Sequence, residues 1–95
     1  MSQIIEAKIV FRLQDEGGRQ QVPSGISYRP HLVVENSVVY LGVNFIEIPD
    51  QVQLGVPYTQ KMRLMYDLKD YELLQKGTKF KIMEGPNIVG EGYVL

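Results

Sequence analysis

The last twelve residues, EGPNIVGEGYVL from Glu84 to Leu95, come closest to a chemical motif. Gly85 and Gly90 have the spacing of the two glycines of a phosphate-binding loop, and Gly92 adds a third. Such a loop places a lysine after its second glycine to reach the β/γ-phosphates, then a hydroxyl to hold magnesium, and then opens a helix. Glu91 and Gly92 occupy those two positions here. A carboxylate there repels phosphate, and the residues that follow keep a strand pattern. The glycines therefore read as backbone residues, with Gly90 and Gly92 on one face of a closing strand, beside Ile88 and Val94, where a crossing backbone comes close. No nucleotide or other cofactor is expected.

His31 is the only histidine, and cysteine is absent. A metal site built on His31 lacks nitrogen and thiolate partners, and the carboxylates do not follow an EF-hand spacing. No G-x-S-x-G elbow supports a serine nucleophile. His31 reads as a strand residue at the surface, and Asp67 and Asp70 as capping and solvent residues. No catalytic residue and no metal ligand is assigned. The stronger chemical signal is basic: Lys61, Arg63, Lys79 and Lys81 all fall on the outward phase of two alternating strands. If those strands are neighbours, the four charges form a stripe suited to phosphates or to an acidic partner. A solvated sheet face alternates in the same way.

Elements must place these residues, and the dominant period along the chain is two. Ile5, Ala7, Ile9, Phe11 and Leu13 alternate with Glu6, Lys8, Val10 and Arg12, the pattern of a half-buried strand. Asp15 to Arg19 supplies a turn in which Gly17 and Gly18 permit positive φ. Gln20 to Ser27, with Pro23 and Gly25, is an irregular crossing. Tyr28 to Glu35 alternates again, with Pro30 at a strand start or an edge. Val38 to Ile48 reads as one bent strand or two short ones, with the bend at Gly42. Gly55 to Tyr58 marks a turn. Lys61 to Met65 alternates, with Met62, Leu64 and Tyr66 facing inward. Asp67 caps a turn or two of helix that Gly77 ends. Thr78 to Glu84 and Ile88 to Leu95 are strands joined at Gly85-Pro86-Asn87. Six or so short strands argue an all-β sandwich or a small barrel, and composition alone does not choose between them.

Ninety-five residues with 44% hydrophobic and 22% charged content suit one domain, 1–95, with a single core. The net charge of −1 gives no global pull toward nucleic acid or membrane. No apolar run approaches the ~18 residues of a membrane helix. The opening MSQIIEAK lacks the basic and apolar regions of a secretory signal. A soluble, cytoplasmic chain with no membrane partner is expected.

Several motifs fall in one order: Glu16-Gly17-Gly18-Arg19, Tyr28-Arg29-Pro30, Ile46-Glu47-Ile48-Pro49, then Phe80-x-Ile82-x-Glu84-Gly85 and Val89-Gly90-x-Gly92-x-Val94. Together they resemble the C-terminal domain of elongation factor Tu, where an EGGR turn, a YRPQ strand, an IELP segment and a closing F-x-I-x-E-G-G-R-T-V-G-x-G-x-V pattern are similarly spaced. The resemblance covers nearly the whole chain. It implies a closed six-stranded antiparallel Greek-key barrel, with Gly17, Gly18, Gly85, Gly90 and Gly92 as turn and closing-strand positions. It also implies a domain that binds and does not catalyse, touching aminoacyl-tRNA, the GTPase domain and the exchange factor. Where the family carries arginines, this chain has Glu35, Met83 and Asn87, which removes charges that phosphate contact requires. The resemblance thus implies a protein–protein binding module connected with translation. Tyr58, read as an exposed aromatic beside Pro57, is the candidate protein contact. RNA binding through Lys61, Arg63, Lys79 and Lys81 is the alternative.

Overall fold

Strands form where the two-residue alternation is cleanest, because each then buries one face and wets the other. The computed structural model describes residues 3–23 and 27–95, so Gly25, expected in the irregular crossing, lies outside the described residues. Six strands are present: β1 (Ile4–Phe11), β2 (His31–Val34), β3 (Leu41–Ile46), β4 (Tyr58–Leu64), β5 (Lys79–Glu84) and β6 (Asn87–Val94). Two short 3-10 helices, η1 (Gln14–Glu16) and η2 (Lys69–Leu73), interrupt them. All pairings are antiparallel, and the order β1-β4-β3-β2-β5-β6 closes on itself as β6 pairs with β1. Strands β2, β3 and β4 run consecutively as neighbours, while β1 arrives beside β4 and β5 beside β2. Those are two overlapping Greek keys. The choice between sandwich and barrel is thus decided for a closed six-stranded antiparallel barrel.

Inside, Ile9, Phe11, Leu32, Leu41, Val43, Phe45, Met62 and Ile82 are almost fully buried. One end is filled by rings. Phe11 lies 6.1 Å from Tyr28, 6.2 Å from Phe45 and 6.4 Å from Tyr58, and Tyr28 meets Phe45 edge-on at 5.0 Å. The other end is covered by η2, which buries Tyr71 and is followed by buried Leu74. The Tyr71 hydroxyl donates to the Gly42 carbonyl at 2.5 Å and accepts from the Tyr66 N–H at 3.3 Å, fixing η2 to β3. Among the described residues Gln60 is the polar residue that is buried. Its amide donates to the Ile46 and Lys61 carbonyls at 2.6 and 2.9 Å, and its oxygen accepts from the Tyr58 hydroxyl at 2.7 Å. Every polar atom of that amide has a partner, as burial demands.

Several local expectations are corrected. The alternation of β1 stops at Phe11, and Leu13 is exposed because the chain turns there into η1, whose C-cap Gly17 has φ 89°. Gly42 is no bend: β3 runs through it, and the glycine leaves room for the Tyr66 ring, which a Cβ would meet at 2.9 Å. Tyr66 is correspondingly exposed, since β4 ends at Leu64. Asp67 does not cap η2, whose N-cap is Leu68. The register shifts between Ile82 and Met83, so β6 fits an additional residue and Val89 turns inward in place of Ile88. The β5–β6 connection is one residue shorter than expected: Asn87 already pairs with Glu84, leaving a two-residue turn with Gly85 at φ 58° in its first central position, as primed turns require.

The glycines of β6 have the backbone role expected of them. Gly92 pairs with Ile9 and Gly90 with Phe11. A Cβ on Gly92 would lie 2.7 Å from Ile9 Cγ2 and closer still to the Lys8 carbonyl oxygen; one on Gly90 would lie 2.6 Å from the Val10 oxygen. Neither contact is tolerable without moving β1. Gly92→Ala is therefore expected to destabilise by about 3 kcal/mol, the upper range for overpacking. Gly77→Ala, at φ 86° with open space around its Cβ, should lose only about 1 kcal/mol from backbone strain. Urea midpoints of the two variants check this: equal shifts would mean that β6 does not close against β1 as described.

Candidate functional site

Barrel closure brings the outward residues of β1, β6, β5 and β2 onto one continuous face. The ladder fixes two rows across it. Lys8 pairs with Tyr93, and Tyr93 with Lys79; in the next row Val10 pairs with Glu91, Glu91 with Lys81, and Lys81 with Val33. Neighbouring strands stand about 4.8 Å apart, so Lys8 and Lys79 lie roughly 10 Å from one another with the Tyr93 ring between them. Over these rows lies an open groove of about 750 Å³. Its walls are Pro57 on one side and the Glu35–Ser37 turn on the other, where Asn36 takes φ 69°. Val10 and Val33 are half-buried and supply apolar floor; Tyr93 is 44% exposed and projects into solvent.

The charges in the groove are unequally committed. Glu91 receives two hydrogen bonds from the Arg12 guanidinium, at 3.3 Å from Nε and 3.2 Å from Nη2. That fork raises the Arg12 pKa, chiefly through the hydrogen bond to Glu91, and occupies the carboxylate. Glu35 sits at the far wall beside β5, its N–H donating to the Lys79 carbonyl at 3.0 Å. Lys79 and Lys81 are exposed and Lys8 is half-buried.

The expected stripe is not formed. Lys61 and Arg63 are on β4, and Lys79 and Lys81 are on β5. In the ring of six these strands are three places apart in either direction, on opposite sides of the barrel. All four side chains face outward as expected, but from strands that are not neighbours. Lys79 and Lys81 join Lys8 instead, a residue on the outward phase of β1 whose place beside them depends on a pairing that strand periodicity does not reveal. Tyr58 also needs correction. It is the first residue of β4, half-buried, with its ring in the aromatic cluster and its hydroxyl on Gln60, so it is not an exposed turn aromatic. Tyr93 holds the exposed position that Tyr58 was expected to have. Glu35 walls the groove, Met83 is buried and Asn87 is exposed at the hairpin.

His31 opens β2 and is half-buried, its ring 5.6 Å from that of Tyr40. Among the described residues no group of three or more His, Asp or Glu side chains gathers to hold a metal, and no helix is long and apolar enough to cross a membrane. A second polar cluster ties the chain before β2 to the end of β5. Glu84 accepts from Arg19 and, at 2.6 Å, from the Tyr28 hydroxyl, while the Arg19 guanidinium stands 5.6 Å from the Tyr28 ring centre. Burial first, then the hydrogen bond to Glu84, pushes the Tyr28 pKa far up; burial does the same for Tyr58. No protein-family model matches the chain.

The two tyrosines give the fold a sign-defined response to alkali. Their folded pKa values lie above the ordinary value of 10.0, so the folded state holds protons that the unfolded state releases. Their contribution is complete below pH 10 and declines as pH rises past it. The urea midpoint should fall above pH 10 in the wild type and fall less in a Tyr28→Phe/Tyr58→Phe double variant. Parallel pH profiles for the two proteins would show that neither hydroxyl resists ionisation.

Proposed function

We propose that the chain is a non-catalytic binding module that takes a protein partner in the groove over β1, β6, β5 and β2, and works in the cytoplasm. The observation that carries this is the lining: an exposed tyrosine and half-buried valines, rimmed by lysines and interrupted by carboxylates. Aromatic residues over an apolar floor with a charged rim are the composition of protein contact surfaces. A nucleic-acid track needs uninterrupted cations. Here Glu35 and Glu91 stand in the groove, and two of the four basic residues expected to form such a track face the other way. The order of turns and strands that resembles the C-terminal domain of elongation factor Tu supports a binding role of the same kind, and with it a connection to translation.

Immobilised protein should retain one partner protein from an extract of its own cells after nuclease treatment and a wash at about 0.3 M salt, where exposed ion contacts are screened. Tyr93→Ala, checked for folding by circular dichroism, should lower that retention by about tenfold, the scale of a single aromatic anchor. Lys61→Ala, on the far side, should leave it unchanged. Material that disappears with nuclease, or retention indifferent to Tyr93, would refute the protein-binding role of this groove.

A further inference from the structure

The groove gathers three lysines against two carboxylates on a chain whose net charge is −1. Lys8, Lys79 and Lys81 rim it, one of its two carboxylates is held by Arg12, and the other, Glu35, stands at one wall. We infer that its occupant is an acidic segment of the partner carrying an apolar residue between its carboxylates, laid across the strands of the barrel. This rests on the protein-partner reading above.

The registers set the arrangement. Lys8 and Lys79 flank Tyr93 in one row, roughly 10 Å apart, which about three residues of extended chain span. A central apolar side chain then lies on the Tyr93 ring and the Val10 floor, with one carboxylate toward Lys8 and another toward Lys79 and Lys81. Glu35 decides between acidic ligands. A polynucleotide brings a phosphate with every nucleotide and cannot avoid that wall. A peptide places carboxylates only where cations stand and can end, or turn polar, before Glu35. The chain has an acidic, apolar segment of its own at η2, where Asp67, Leu68, Asp70, Glu72 and Leu73 are exposed. A second copy is therefore the competing occupant to be tested.

The probes are a fluorescein-labelled Asp-Glu-Leu-Glu-Asp peptide, its Asn/Gln analogue and a ten-residue oligouridylate, each titrated against the folded protein by fluorescence polarisation. The acidic peptide should bind at least about tenfold more tightly than the neutral analogue, and Lys79→Glu/Lys81→Glu should weaken it by a similar factor. Lys61→Glu should have no effect. Glu35→Gln should tighten binding. Amide shifts in a nitrogen-15 spectrum should fall on Val10, Lys81 and Tyr93. Failure of the acidic peptide to bind, equal binding of the neutral analogue, equal loss with Lys61→Glu, or tighter oligouridylate binding at these amides would each overturn the inference. So would salt-sensitive self-association in sedimentation that Asp70→Asn/Glu72→Gln abolishes. Partner retention that depends on Tyr93 yet survives the Lys79→Glu/Lys81→Glu reversal removes the acidic occupant and leaves the protein-binding role standing. Retention that ignores Tyr93 removes both.

Discussion

Closure of the barrel depends on how near the backbone of β6 can come to that of β1. Gly90 and Gly92 sit opposite Phe11 and Ile9, where any side chain would run into the Val10 or Lys8 carbonyl. Without that approach β1 and β6 become sheet edges whose unpaired N–H and C=O groups invite other strands. With it, each strand has two neighbours and the edges vanish. The terminal motif that imitates a phosphate loop in spacing is thus explained by steric demand alone. Glu91, between those glycines, points outward and is bonded to Arg12 just past the end of β1, so a surface ion pair spans the same seam. Exposed pairs of this kind contribute at most about 1 kcal/mol. The glycines, not the ion pair, are what the seam requires.

That seam also creates the groove. Lys8 and Val10 meet Tyr93 and Glu91 only because β1 and β6 pair, and Lys79 and Lys81 join them only because β5 follows β6 in the ring. The residues concerned come from the two ends of the sequence. An open sheet with the same strands would scatter them. The two ends of the barrel are held by different means, an aromatic cluster around Phe11 at one and Tyr71 bonded to the Gly42 carbonyl at the other. Neither contributes to the surface of the groove.

Strand phase was legible in the sequence because it is local. The alternation from Ile5 to Phe11 and the inward Phe80 and Ile82 needed only a period of two and apolar side chains. Strand ends were less so: Leu13 and Tyr66 fit the inward phase but fall just beyond the last paired residue, where the chain is already turning. Strand adjacency was not legible at all from periodicity. Lys61, Arg63, Lys79 and Lys81 have the same outward phase and nearly the same local sequence, yet a Greek-key path puts them on opposite sides. Tyr58 departs from expectation for a related reason: its neighbour Pro57 signals a turn, but its pairing with Ile9 on β1 makes it the start of a strand.

A barrel of six strands leaves little freedom over where function can reside. The interior is occupied from end to end by side chains such as Phe11, Phe45, Met62 and Ile82, and the buried amide of Gln60 is spent on internal hydrogen bonds. Small closed barrels of this kind are packed cores and not ligand cavities. The outer face is the part of the barrel free to vary, because its residues alternate with the core along every strand and can change without disturbing it. On that face, the sector over β1, β6 and β5 brings three lysines and an exposed ring to an open groove. The same two-residue period that builds the core therefore displays the groove, since each inward Ile9, Phe80 or Gly92 obliges its neighbours Lys8, Lys79 and Tyr93 to face out.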